Sequence, residues 1–85
     1  MAYRLLIRRP AEKEIAGLQP DLRSRIIEKI RLLTTTPRPP GCKKLSGEDR
    51  AWRIRVGDYR VVYEINDSAQ CVEIRVVAHR REVYR

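Results

Sequence analysis

Three arginines, Arg53, Arg55 and Arg60, are the residues of this 85-residue chain whose type and spacing most strongly suggest chemistry. Apolar and polar residues alternate on both sides of Gly57-Asp58, a pattern typical of two strands joined by a tight turn. A two-residue turn pairs Arg55 with Arg60 and places all three arginines on one sheet face. Like charges directly opposite each other destabilise a sheet. We therefore interpret the three arginines as a site that holds an anion.

The composition indicates that this anion belongs to a polymer. The formal net charge is +8 and the pI is about 10.2. A charge this large predicts a polyanionic partner: nucleic acid, an acidic membrane surface or an acidic protein. Arginine outnumbers lysine among the 19 basic residues, and its planar fork binds phosphate and stacks on bases. Nucleic acid is therefore favoured over a solvated basic surface with no role in function.

The chain has two cysteines and one histidine, too few for a disulfide scaffold or for a metal site at a recognisable spacing. We expect Cys71 to be a small buried residue in a strand and Cys42 to lie in a loop. The sequence has neither a glycine-rich phosphate loop nor a Ser/His/Asp signature. We predict no metal and no cofactor. No signal peptide or membrane span is visible, so we expect a cytoplasmic protein with no membrane partner.

The hydrophobic pattern predicts one α+β domain over residues 1–85. It indicates an N-terminal strand, a two-helix hairpin, a long ordered loop and an antiparallel meander of three strands. The expected ranges are 2–8 for the strand, 10–18 and 20–33 for the helices, 37–49 for the loop, and 51–66 and 71–79 for the meander. We expect both helices to pack on one face of a four-stranded sheet.

The sheet face opposite the helices is called the cationic face, and the sequence predicts that it is open to solvent. Its expected residues are Arg53, Arg55, Arg60, Glu64, Arg75 and His79. Strand alternation predicts the opposite direction, into the core, for four residues of the last strand. They are Val72, Ile74, Val76 and Ala78.

Residues 78–85 extend this basic surface with His79, three arginines and Tyr84. Cations beside aromatic rings suit phosphate binding together with base stacking. In an enzyme, the arginines would stabilise negative charge that develops on a phosphate. Cleavage without a metal can use the 2′-OH of RNA as the nucleophile. Arginine does not give up its proton, so other side chains must transfer protons. The candidates are His79, Tyr84, Glu48, Asp49 and Glu82.

Four stretches of the sequence together resemble toxins of the RelE family, within the RelE/ParE superfamily of bacterial toxin–antitoxin systems. They are Lys44-Leu45-Ser46-Gly47, Trp52-Arg53-Ile54-Arg55-Val56, Asp58-Tyr59-Arg60-Val61-Val62-Tyr63 and His79-Arg80-Arg81-Glu82-Val83-Tyr84. The resemblance covers nearly the whole chain and implies the microbial RNase-like fold of that family. The last stretch is the most discriminating and points to RelE-like members.

The resemblance implies a toxin of a type II toxin–antitoxin system, a metal-independent endoribonuclease that cuts mRNA in the ribosomal A site and inhibits translation. The implied partners are mRNA and ribosomal RNA on the ribosome, and a cognate antitoxin through which the complex would bind operator DNA. Carried over by position, the implied catalytic residues are Arg53, Arg55, Arg60, Arg80 and Tyr84, with His79 as a weaker candidate. The expected RNA-binding residues are Lys43, Lys44, Arg75 and Arg81.

Two features depart from the family pattern. The best-known members carry lysines at the two positions where this chain has arginines on the first hairpin strand. A lysine can act as a base whereas an arginine hardly can. His79 or Glu82 therefore becomes a stronger candidate for the proton-transfer group. Simple alternation also places His79, rather than Arg80, on the cationic face. A strand end or a bulge near Ala78 would reconcile the two.

Two other functions fit the same sequence. A ParE-like protein would inhibit DNA gyrase by binding, without RNA cleavage, and the fold signal alone does not distinguish it. An inactive family member would keep only antitoxin binding and autoregulation. In each case a basic toxin suits an acidic antitoxin that wraps around it and contacts the helices, the sheet edge or both.

Overall fold

The computed structural model describes residues 2–47 and 50–79, and it confirms the predicted α+β class. The elements are β1 (Arg4–Ile7), α1 (Arg9–Ala16), α2 (Pro20–Leu32), β2 (Lys43–Lys44), β3 (Ala51–Val56), β4 (Tyr59–Asn66) and β5 (Cys71–His79). Pro10 and Pro20 lie in the first turns of the two helices. Proline suits these positions because a backbone N–H there has no partner within the helix.

The sheet has five strands in the order β1-β5-β4-β3-β2. β1 lies parallel to β5, and all other neighbours are antiparallel. The prediction of four strands is therefore wrong by one, because β2 pairs Lys43 with Arg53 and Lys44 with Trp52 inside the region predicted as a loop. A strand of two residues is too short to show the alternation that identifies strands in a sequence.

Both helices pack on one face of the sheet, as predicted, and the core lies between these two layers. The buried helix-side residues are Ala11, Ile15, Leu18, Ile26, Ile30 and Leu33, and they meet Ile54, Val61, Tyr63, Val72 and Ile74 of the sheet. Burying one such large apolar side chain contributes about 1.5–3 kcal/mol. Among the described residues, no helix is long and apolar enough to cross a bilayer.

Contacts with the sheet fix the segment between α2 and β2. The hydroxyl of Tyr63 donates a hydrogen bond of 2.7 Å to the carbonyl oxygen of Pro37. The guanidinium of Arg38 binds the Asp67 carboxylate at 3.0 Å and lies over the Trp52 ring, 5.2 Å from its centroid. These contacts hold the segment beside β3, where β2 then joins the sheet.

A β-bulge in β5 changes which side chains of that strand face the core. Ile74 and Val76 pair with consecutive residues of β4, so Arg75 is the extra residue. Beyond the bulge the alternation is reversed: Val77 is buried in the core, whereas Val76 is 40% exposed. The prediction that Val76 and Ala78 point into the core is therefore wrong. Ala78 is buried, but on the cationic face.

We expect Tyr63→Phe to lower the free energy of unfolding by about 0.5–1.5 kcal/mol. The substitution removes only the hydroxyl that binds the Pro37 carbonyl. Urea denaturation at neutral pH measures the change. Tyr59→Phe is the matched control, because Tyr59 lies on the same strand and is only partly buried. An equal loss of stability in the two variants would contradict the role given to the Tyr63 hydroxyl.

Candidate nucleic-acid interface

The β3–β4 hairpin has the predicted register. Its pairs next to the turn are Val56–Tyr59, Arg55–Arg60 and Ile54–Val61. Gly57 has a positive φ of 60° and Asp58 does not, which is the geometry of a type II′ turn with glycine at its first central position. The turn therefore sets Arg55 directly opposite Arg60, and the prediction that the three arginines share one face is confirmed.

The cationic face is not open, which corrects the sequence prediction. Arg60 is 2% exposed and Arg53 is 8% exposed, and both have interaction partners. A guanidinium withdrawn from water must be paired or hydrogen-bonded, because burying a bare charge is costly. Val62 and Ala78 are also buried on this face, whereas Arg55 is exposed. An anion that approaches from solvent therefore meets Arg55 first, with two buried arginines beside it.

The two lysines predicted to bind RNA lie on β2 rather than in a loop. Directly opposite residues of an antiparallel pair point to the same side of the sheet. Lys43 is opposite Arg53 and therefore lies on the cationic face. Lys44 is opposite Trp52 and lies on the helix side. Both lysines are exposed. Lys43 thus extends the row of arginines from the neighbouring strand, and we call Lys43, Arg53, Arg55 and Arg60 the cationic row.

Acidic residues offset part of the positive charge on the other half of the cationic face, next to β1. Glu73 binds Arg8 at 2.9 Å, and this hydrogen bond holds the pKa of Glu73 below its ordinary value. Glu64 contacts both Arg8, at 3.4 Å, and Arg75, at 3.3 Å. Arg75, which the sequence predicts to bind RNA, therefore has a carboxylate partner. This network could not be predicted from the sequence, because Arg8 and Glu73 are 65 positions apart.

His79 lies on the helix side of the sheet, not on the cationic face where simple alternation places it. It is opposite Tyr59, and the two rings meet edge to face with centroids 5.6 Å apart. Tyr59 packs against the core. The bulge at Arg75 causes this reversal. The sequence predicted an irregularity near Ala78, three residues further along the strand. A catalytic role for His79 stays a prediction, and it would have to act from the end of β5.

Several predicted site residues fall outside the described part of the chain. They are Arg80, Arg81, Tyr84, Glu48, Asp49 and Glu82. Within residues 2–47 and 50–79, no group of three or more His, Cys, Asp or Glu side chains could hold a metal ion. What the structure describes of the site is a set of guanidinium and ammonium groups suited to phosphate.

The fold, with two helices on one face of a five-stranded sheet, matches solved structures of RelE toxins. The structure is similar to the archaeal RelE–RelB complex from Pyrococcus horikoshii, with a TM-score of 0.84 and 29% identity, covering 94% of this chain and 97% of that chain. It is also similar to the isolated RelE toxin of E. coli, with a TM-score of 0.81 and 30% identity, covering 98% and 92% of the two chains.

Comparisons of the sequence agree with the structural likeness. RelE1 of Methanocaldococcus jannaschii is 28% identical over 88 residues, which covers 100% of this chain and 98% of that protein. Residues 5–84 match the family model of the ParE toxin of type II toxin–antitoxin systems. The chain therefore belongs to this toxin family, within the RelE/ParE superfamily, and is a toxin of a type II toxin–antitoxin system.

We expect Glu73→Gln to flatten the loss of stability at acidic pH. Arg8 lowers the folded-state pKa of Glu73 below its ordinary value of 4.5, so the ion pair stabilises the fold above that pH. This contribution is lost as the pH falls through the lowered pKa and the carboxylate is protonated. Urea unfolding from neutral to acidic pH should therefore show a steeper loss for the wild type than for Glu73→Gln.

The matched control is Glu14→Gln, which removes a carboxylate from the exposed side of α1. It should follow the wild-type profile. If Glu73→Gln lost stability with acid as steeply as the wild type, the ion pair with Arg8 would have no role in the acid response.

Proposed function

We propose that the protein is a metal-independent endoribonuclease that cuts mRNA in the ribosomal A site and so inhibits translation. The cationic row is the observation that supports this most, because it aligns Lys43, Arg53, Arg55 and Arg60 on one sheet face. Guanidinium groups bind phosphate through paired, charge-assisted hydrogen bonds. The likeness to RelE structures over nearly the whole chain adds support.

In the proposed reaction, the 2′-oxygen of one nucleotide attacks the adjacent phosphorus, and the bond from that phosphorus to the next 5′-oxygen breaks. The 2′-OH releases one proton and the leaving 5′-oxygen takes one up, so protons and electrons balance. Negative charge grows on the phosphate oxygens during the attack. Arg55 and the two buried arginines beside it, Arg53 and Arg60, would stabilise this charge, and one preorganised donor contributes about 10²- to 10³-fold.

Proton transfer needs a different kind of side chain. Guanidinium groups stay protonated, so the cationic row cannot take the proton from the 2′-OH. We propose that His79, Tyr84 or Glu82 performs this step. General acid–base help of this kind contributes about 10²- to 10⁴-fold.

We propose that a cognate antitoxin keeps the toxin inactive. RelE of Pyrococcus horikoshii has been determined in complex with RelB, and a RelBE toxin–antitoxin complex is known from E. coli. A toxin with a net charge of +8 suits an acidic partner. The complex would act in the cytoplasm, where the toxin meets ribosomes and the antitoxin meets operator DNA.

We expect Arg55→Gln to lower the rate of mRNA cleavage on ribosomes by about 10²-fold. Arg55 is the exposed arginine of the cationic row, so its loss removes the charge that a phosphate meets first. Mapping of mRNA 5′ ends in a reconstituted translation system measures the cleavage. Lys13→Gln removes one exposed charge from α1 and should cut at the wild-type rate. If the wild type produced no new 5′ ends, the proposed activity would be wrong.

A second candidate function is ParE-like inhibition of DNA gyrase by binding. The match of residues 5–84 to the ParE toxin model favours it. On this function we expect the purified chain to block supercoiling by purified gyrase and to leave mRNA on ribosomes intact. If the protein is instead an endoribonuclease, we expect it to cut mRNA on ribosomes and to leave supercoiling by gyrase unaffected. Growth arrest on induction of the wild-type chain would speak against an inactive family member in both cases.

A further inference from the structure

A groove lies at the outer edge of the sheet, between β3, the end of α2 and the turn at Pro39–Gly41. Its volume is about 430 Å³. Four cations line it: Lys29 of α2, Lys43 of β2, and Arg53 and Arg55 of β3. No acidic residue lines it in the described part of the chain. The groove is therefore a cationic continuation of the proposed phosphate site around the edge of the sheet.

Two features of the backbone near the groove bear on anion binding: the outer edge of β3 and the hydrogen-bonded end of α2. β2 pairs only with Trp52 and Arg53, so the outer edge of Ile54–Val56 carries no strand partner among the described residues. At the end of α2, the hydroxyls of Thr34 and Thr35 donate to the last carbonyl oxygens at 2.7 and 3.1 Å. These hydrogen bonds reduce the repulsion that a helix C-terminus would otherwise exert on a negative ligand.

Apolar surface lies beside the cations of the groove. Leu32 is 51% exposed there, and Pro39, Pro40 and Ile54 line the same space. A ligand that matches both the cationic and the apolar surface of the groove carries negative charge and apolar groups together. Single-stranded nucleic acid has this composition, because each nucleotide joins a charged phosphate to a base with an apolar face.

The charge distribution on the sheet decides which way a bound strand continues from Arg55. Toward β1, the cationic face carries the carboxylates of Glu64 and Glu73, already paired with arginines. Paired carboxylates offer no net attraction to a phosphate. Toward the edge of β3, the strand meets Lys43 and then Lys29. The groove carries four cations and no carboxylate among the described residues, so it is the more favourable continuation for a strand held at Arg55.

We infer that this groove binds the sugar–phosphate backbone of single-stranded RNA next to the phosphate that is cut, with Lys29 and Lys43 as positioning residues. The two lysines come from different elements, α2 and β2, so together they can hold consecutive parts of one strand. The inference rests on the proposed RNA cleavage and extends it to the residues that hold the substrate. Both lysines act on the strength of RNA binding and not on the chemical step.

Binding of a short single-stranded RNA with 2′-O-methyl riboses, which cannot be cut, tests the groove separately from cleavage. Fluorescence anisotropy of the full chain over a salt series gives the dissociation constant. Lys29→Gln/Lys43→Gln should bind about tenfold more weakly at low salt, because two phosphate contacts are lost. The slope of log K against log salt should become shallower by about 1.4, since each contact with single-stranded nucleic acid contributes about 0.7.

The matched control is Arg9→Gln/Lys13→Gln, which removes two exposed charges from α1. α1 packs against β5, on the side of the molecule away from the groove. The control should keep the wild-type salt slope. Equal affinity and slope in the two double variants would overturn the assignment of the groove, as would absence of RNA binding by the wild type.

Polyglutamate of matched charge is the competing ligand. If it bound more tightly than the RNA and lost that affinity in Lys29→Gln/Lys43→Gln, the groove would belong to an acidic protein segment and the inference would be wrong.

Cleavage on ribosomes is scored separately from RNA binding. If the wild type cuts mRNA, Lys29→Gln/Lys43→Gln should need about tenfold more protein for half-maximal cleavage, with an unchanged maximal rate. An unchanged half-maximal concentration would overturn the assignment of the groove and leave the cleavage proposal intact. If the wild type cuts nothing while the double variant still loses RNA binding, the groove is supported and the proposed cleavage is wrong.

Discussion

The register of the β3–β4 hairpin is the constraint on which the rest of the structure depends. A shift of one residue would move the apolar side chains of one strand to the face opposite those of its partner. Burying one side chain such as Ile54 or Tyr63 contributes about 1.5–3 kcal/mol, whereas an unfavourable cross-strand pair costs about 0.2–1 kcal/mol. Core burial therefore decides the register, and Arg55 opposite Arg60 follows from it. The same register, closed by the turn at Gly57, thus places both the core residues and the cationic row.

The parallel pairing of β1 with β5 determines how far the positive charge spreads. It brings Arg8 beside Glu73 and Glu64, which offset part of the positive charge on the β1 half of the cationic face. On the β3 half, no such carboxylate lines the groove in the described residues, and positive charge predominates. A chain with a net charge of +8 is therefore not uniformly basic. Among the described residues, the groove at the edge of β3 joins four cations without a carboxylate.

What could be predicted from the sequence was the part that depends on local alternation. The hairpin and the inward faces of both helices carry clear periodic patterns, and the structure confirms them. The run Val76-Val77-Ala78 is apolar at every position, so nothing in it shows which side chain turns inward after the extra residue Arg75. The exposed Val76 and the position of His79 follow from that one bulge. β2 was too short to recognise, and its pairing alone reveals that Lys43 belongs to the cationic row.

The bulge also separates two tasks that an RNA-cleaving site must combine. The cationic row has the charge to hold a phosphate, and its guanidinium groups cannot move a proton. With His79 on the helix side beside Tyr59, the acid–base task falls to a different part of the chain from the cationic row. A hairpin of this kind can serve a toxin that cleaves or a toxin that only binds, because fold alone does not fix function. Identifying a proton-transfer group would therefore distinguish the two proposed activities better than the arginines do.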